Sequence, residues 1–191
     1  MSTIYIFDFD DTLAMTNSHV RILAKDGSVK HRLDSRAFAK YRQKPGESLD
    51  FSEFNTASGT LISDTVVEME KAITDYGVGN VFIVTARSEA QPVEMFLQSM
   101  GVSVPEVVAT AGSEGKATWL TRKLLTNEYT SVKVYEDCKK NIKMLQDVVE
   151  TYNEELGMNV EYSAVCILAD GSQQVVEALI RKYVKNILYN L

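Results

Sequence analysis

Cysteine is scarce: Cys138 and Cys166 are the only two in 191 residues. That count excludes a disulfide framework or a multi-cysteine zinc site, and it points to a reducing cytoplasm with both thiols as packing residues. Long apolar runs are also missing. No stretch reaches the roughly 18 residues needed to span a bilayer, and Met1 to Leu13 lacks the charged start and apolar centre of a signal peptide. The protein is therefore expected to be soluble, cytoplasmic and unprocessed, without a membrane partner. Positive charge is in deficit, with 20 Lys and Arg against 26 Asp and Glu and a formal net charge of −6. A general affinity for nucleic acid or anionic lipid is disfavoured by that balance. With 3 prolines and 10 glycines beside 45% hydrophobic residues, the chain has enough apolar material for a sizeable core. We read 1–191 as one domain carrying an insertion over about 14–62.

What is present is a repeated design. Thr3 to Phe7 is a short apolar run that stops at carboxylates, as a buried strand does when it delivers polar groups at its C-terminal end. Asn80 to Val84 stops at Thr85-Ala86-Arg87, Val132 to Tyr135 at Glu136-Asp137, and Ala164 to Leu168 at Ala169-Asp170-Gly171; Pro105 to Ala109 is a shorter candidate. Helical periodicity fills the intervals, through Val66, Met69 and Ile73, then Val93, Phe96, Leu97 and Met100, then Leu120 and Leu124, then Ile142, Leu145, Val149, Tyr152 and Leu156. Val176, Leu179, Ile180, Tyr183 and Ile187 suggest a last helix. Alternating strands and helices predict an α/β fold, a parallel sheet with helices on both faces. The insertion differs: Lys25-Asp26-Gly27 between two apolar-alternating runs predicts a hairpin, Ala37 to Arg42 a short helix, and Gln43 to Ser48 a turn.

In open α/β sheets the working site lies beyond the C-terminal strand ends, so residues far apart in sequence are expected to converge there. Asp8 and Asp10 begin on one face of an extended segment, and a turn at Asp11-Thr12 is expected to offer backbone amides to an anion. Two carboxylates this close repel unless a cation lies between them, and Mg²⁺ suits carboxylate, water and phosphate oxygens. Phosphoryl transfer then assigns Asp8 as nucleophile and Asp10 as acid/base. Thr85 and Lys116 are the expected partners of the phosphoryl oxygens. Asp137 is the expected direct metal ligand, with Glu136 and Asn141 as alternatives or supporting groups, and Thr12 as a supporting hydroxyl.

The ordered set Asp8-x-Asp10-x-Thr12-Leu13, Thr85, Lys116 and Glu136-Asp137-x-x-x-Asn141 resembles the four motifs of the haloacid dehalogenase-like hydrolase superfamily. The resemblance covers most of the chain. It implies a Rossmann-like three-layer core with strand order 5-4-1-2-3, and magnesium held by Asp8, the Asp10 backbone carbonyl and the fourth-motif acid. It also implies phosphoryl transfer as the reaction, and a small cap in the insertion. Two positions depart from the family pattern: Asp11 stands where Gly is frequent, and Asn141 where many members have a second Asp. A carboxylate at Asp10 favours the phosphatase or phosphomutase branches over the dehalogenases and P-type ATPases.

The expected activity is thus a magnesium-dependent phosphomonoesterase. Its substrate is a nucleotide, another small phosphorylated metabolite or a phosphorylated nucleic-acid end; the alternatives are a phosphomutase or an inactive phosphate-binding protein. Gly112-x-x-Gly115-Lys116-Ala117 is not a P-loop, which needs four residues between its glycines and Ser or Thr after Lys. Arg87 suits either a substrate phosphate or a surface ion pair. His19 and His31, the only histidines, both fall in the insertion, where exposure on a hairpin is favoured over facing the site. Arg21, Lys25, Lys30, Arg32, Arg36, Lys40, Arg42 and Lys44 give the insertion a basic tilt, a solvated face or a seat for an anionic polymer.

Overall fold

The computed structural model describes residues 2–126 and 129–176. Along the chain, β1 (Thr3–Phe7) leads into the insertion, which contains β2 (Ala14–Thr16), β3 (Val20–Leu23), β4 (Val29–Leu33), α1 (Ser35–Lys40), β5 (Ser48–Asp50) and β6 (Gly59–Leu61). The core resumes with α2 (Ser63–Tyr76), β7 (Val81–Thr85), α3 (Gln91–Ser99), β8 (Glu106–Ala109), α4 (Ser113–Thr126), β9 (Ser131–Glu136), α5 (Lys139–Leu156), β10 (Glu161–Ile167) and β11 (Gln173–Val176). A six-stranded sheet runs in the order β11-β10-β9-β1-β7-β8. All its neighbours are parallel except β10 and β11.

Strand periodicity explains how one sheet supports two cores. Successive side chains point to opposite faces, so in β1 Tyr5 and Phe7 pack with α2 and α3, beside Val66, Met69, Val93 and Leu97. Ile4 and Ile6 pack on the other face with Leu120, Leu124, Ile142 and Leu145 of α4 and α5. β7 divides the same way, Val81 and Ile83 against Phe82 and Val84. The result is an α/β fold whose mostly parallel sheet is covered by helices on both faces, an arrangement compatible with a Rossmann-like architecture.

Each expected apolar run lies in a strand, with shifted ends. Asn80 joins a 3-10 turn, Val78–Asn80, and Thr85 and Glu136 extend β7 and β9 because each still has a partner in the ladder. Val176 does not open a helix; it pairs with Ala164 in β11. Leu179, Ile180, Tyr183 and Ile187 lie outside the described residues.

Within the insertion, β3 lies between antiparallel β4 and β5, and the expected hairpin turns at Gly27, whose φ of 84° is open to glycine. The short helix starts two residues before the predicted Ala37, because the Asp34 carboxylate accepts from the Ala37 amide and caps it. In place of a simple turn at 43–48, Glu47 gathers Lys30 Nζ, the Tyr41 hydroxyl and the Lys44 amide. These donors hold its carboxyl low, at about 2. β2 and β6 form a two-stranded stalk joining the insertion to the core. At Gly59 the strands approach so closely that a Cβ would sit 2.1 Å from the Met15 carbonyl oxygen. Among the described residues no helix is long and apolar enough to cross a membrane.

Candidate active site

Register brings the strand ends together. Phe7 pairs with Ile83 on one side and Tyr135 on the other, so Asp8 emerges between the ends of β7 and β9. The loop after β8 then turns into α4 through Ala111 (φ 51°) and Gly112. Gly115 lies against it: a Cβ there would be 2.3 Å from the Thr110 carbonyl oxygen. This close packing carries Lys116 into the site from the first turn of α4. Its ammonium donates to Asp8 Oδ1 at 2.6 Å and to Glu136 Oε2 at 2.8 Å, and the side chain is 2% exposed. The remaining Glu136 oxygen accepts from the Cys138 amide and from Asn141 Nδ2, both at 3.2 Å.

Burial, and after it carboxylate crowding, sets the electrostatics. Burial first, then the neighbouring Glu136, pushes Asp8 up to about 7 despite the opposing pull of Lys116. Asp137 is pushed up to about 9 by burial and by Asp8 and Glu136, with Arg36 opposing. For Lys116 burial alone would lower the value, but Asp8 and Glu136 together hold it above the ordinary lysine range. Asp8, Glu136 and Asp137 each offer an oxygen within 4.8 Å of the others. An all-oxygen, multiply acidic set of this kind fits a hard divalent cation, which would offset the repulsion. Glu136 is already engaged by Lys116, Asn141 and an amide, whereas Asp137 shares a side-chain hydrogen bond with Glu136 and has Arg36 Nε at 3.6 Å. Asp137 is the acid better placed to turn an oxygen to a metal, and Asn141 orients Glu136.

Asp10 is held differently. Arg87 donates to both of its oxygens, from Nε at 2.9 Å and from Nη2 at 2.8 Å, and Thr16 adds its hydroxyl at 2.6 Å. The other Arg87 donors reach the carbonyls of Phe54 and Thr56 and the Ser18 hydroxyl. The guanidinium also stacks near the rings of Phe9 and Phe54, 5.2 and 5.0 Å from their centroids. Arg87 is thus neither a surface ion-pair partner nor an uncommitted phosphate ligand; it is buried and joins Asp10 to the insertion. Arg36 makes the reverse connection from α1, donating to the carbonyls of Asp11 and Leu168 at 3.1 Å and lying 3.6 Å from the carboxylates of Asp11 and Asp137.

Compared with protein-family models, with curated proteins and with solved structures, the chain matches none.

A cavity of about 510 Å³ collects Asp8, Asp10, Arg87, Lys116, Glu136, Asp137 and Asn141 on its walls. Thr85 is buried at the end of β7, where its hydroxyl accepts from the Arg87 amide and its carbonyl from Thr110; it is not among the lining residues. Thr12 is fully buried and its hydroxyl has no hydrogen-bond partner among the described residues. The amides of Asp11 and Thr12 are not presented to an anion as expected, since they donate to Ala14 and Phe9 carbonyls inside the turn. Asp11 itself adopts φ 59°, a left-handed conformation that Gly favours and Asp tolerates. His19 bonds the Asn17 carbonyl and lies near Glu53, and His31 sits on exposed β4; neither lines the cavity.

Three aromatic side chains of the cavity wall are not among the expected site residues. Phe38, Phe51 and Phe54 of the insertion line the same cavity as the acids, and the available signal was three phenylalanines in an otherwise polar stretch. The basic tilt is largely internal: Arg21 pairs with Asp50, Arg32 with Glu53 and Lys30 with Glu47.

Proposed function

We propose that this chain is a magnesium-dependent phosphomonoesterase of the haloacid dehalogenase-like superfamily, acting through a phospho-aspartate on Asp8. The observation that carries the reading is Asp8 itself: a buried carboxylate on a cavity wall, bonded to a buried lysine, beside two more acids, with a fourth two residues on. The order of the parallel strands supports it as well. β10, β9, β1, β7 and β8 lie side by side with antiparallel β11 beyond β10, an arrangement compatible with the order that the resemblance implies. The same reading puts the protein in a reducing cytoplasm, for which its two free thiols are suited.

In this mechanism an Asp8 oxygen attacks phosphorus as the ester P–O bond breaks, and the leaving oxygen takes a proton from Asp10. Water then attacks the acyl-phosphate while Asp10 removes its proton, which releases inorganic phosphate and restores the Asp8 carboxylate. Arg87 and Thr16 bond both Asp10 oxygens and fix the position of its carboxyl group. For the first step Asp10 has to take up a proton from solvent or from a monoanionic ester. Lys116 lies where it offsets charge on the Asp8 side of the transferred group. Mg²⁺, held by Asp8, Asp137 and Asp10, would neutralise charge between the carboxylates and the phosphoryl oxygens.

The test is magnesium-dependent release of inorganic phosphate from a panel of nucleotides, sugar phosphates and end-phosphorylated oligonucleotides. Asp8→Asn should abolish release, and Asp10→Asn should slow it by about 10²- to 10⁴-fold. No release from any ester, or release untouched by Asp8→Asn, would refute the proposal.

A further inference from the structure

The insertion contributes Val20, Ser35, Phe38, Ala39, Phe51 and Phe54 to the cavity wall, apolar side chains apart from Ser35. Phe38 and Phe51 meet edge to face at 5.5 Å, and Phe54 lies 6.3 Å from Phe51. Phe51 remains 47% exposed, although the insertion has a buried interior of its own around Val20 and Ile22. An aromatic ring left this open beside a polar floor gains from being covered by an apolar partner.

Charge narrows what that partner is. Among the described residues, the cations on the cavity wall are Arg87 and Lys116, and both are held by carboxylates at the floor. Among the described residues the insertion brings no cation to the cavity wall for a second phosphate or for the next phosphate of a polymer, and Ser35 is its one polar side chain there; Arg87, 5.0 Å from the Phe54 ring, is held by Asp10. An occupant with one phosphate at the floor and a flat, uncharged, apolar ring against the phenylalanines satisfies both. The cavity volume is within the range of small-molecule sites.

We propose that Phe38, Phe51 and Phe54 form a cradle for the aromatic ring of a phosphomonoester's leaving group, which makes nucleoside monophosphates the substrate class. The chemistry half of this inference rests on the phosphatase reading; the aromatic half does not.

The experiment has a binding arm and a kinetic arm. Asp8→Asn protein with Mg²⁺ is titrated calorimetrically with adenosine monophosphate, ribose 5-phosphate, adenosine diphosphate and a 5'-phosphorylated oligonucleotide, and the parent protein is assayed for kcat/KM on the same compounds. Base stacking on aromatic side chains is worth roughly 5- to 150-fold, so the monophosphate is expected to bind at least about fivefold tighter than ribose 5-phosphate. Phe51→Ala should shrink that ratio to within about threefold of one, and Phe51→Trp should preserve it. Equal affinity for the nucleotide and the base-free ester, or a ratio unchanged by Phe51→Ala, overturns the cradle. Tighter binding of the oligonucleotide or diphosphate than of the monophosphate overturns the mononucleotide assignment. If the binding preference is present but the parent releases no phosphate, the phosphatase reading falls and the cradle stands. If the parent hydrolyses both esters with equal kcat/KM, the reading stands and the cradle falls.

Discussion

Replacing Arg87 by alanine is the sharpest test of how the site is held. The side chain is 1% exposed and its partner Asp10 12% exposed, so the substitution leaves a nearly buried carboxylate with only Thr16 as a side-chain donor. Breaking a buried ion pair from one side costs about 3–5 kcal/mol. The Phe54 and Thr56 carbonyls also lose a donor, but they belong to the insertion and regain water once the cavity side opens. For a chain of this size each kcal/mol moves the melting midpoint by about 2–4 °C, so Arg87→Ala should lower Tm by roughly 6–20 °C. Circular dichroism melts of the parent, Arg87→Ala, Asp10→Ala and the double variant would measure it. The double variant should lose about 1–3 kcal/mol less than the sum of the singles, because each single already breaks the shared contact. A Tm within 2 °C of the parent, or strict additivity, would refute the pairing as a structural element.

Three further outcomes are expected. Asp8 and Asp137 have raised folded-state values of about 7 and 9, so the stability they contribute is complete below their unfolded values and is lost as pH rises through the folded ones. Melts without metal should therefore fall between pH 5 and pH 9, and Mg²⁺ should raise Tm more at pH 9 than at pH 6. At Asp11 the left-handed backbone predicts that Asp11→Gly changes stability by less than about 1 kcal/mol, while Asp11→Val costs more than that in a denaturant titration. Gly115→Ala drives a methyl into the Thr110 carbonyl, and chemical denaturation should show a loss of about 1–3 kcal/mol, with lower activity because Lys116 is the next residue.

The parts of the fold legible in the sequence were those governed by burial. Buried parallel strands are unbroken apolar runs, so Thr3 to Phe7 and Val81 to Val84 announce themselves, and the polar residue that ends each run falls on one edge of the sheet. β11 escaped because Gln173-Gln174-Val175 lies on an exposed edge and lacks that signature. The stalk strands escaped because three residues are too few to show a period. Asp8, Lys116, Glu136 and Asp137 were legible as strand-end and helix-start residues, and they do meet. Pairings across the insertion were not. That Arg21, Lys30 and Arg32 face Asp50, Glu47 and Glu53 depends on hairpin register, and that Arg87 spans from β7 to the Phe54 carbonyl depends on how the insertion folds back over the sheet.

The five donors of Arg87 are divided between Asp10 on the core side and Ser18, Phe54 and Thr56 of the insertion, while Arg36 runs from the insertion to the carbonyls of Asp11 and Leu168. The insertion is consequently not an interchangeable cassette. A foreign segment grafted between β1 and α2 would have to reproduce two backbone carbonyls and a hydroxyl at Arg87 and return its own cation to the loops that follow β1 and β10, so single exchanges at Phe38 and Phe51 disturb fewer of these bonds than wholesale exchange of the segment.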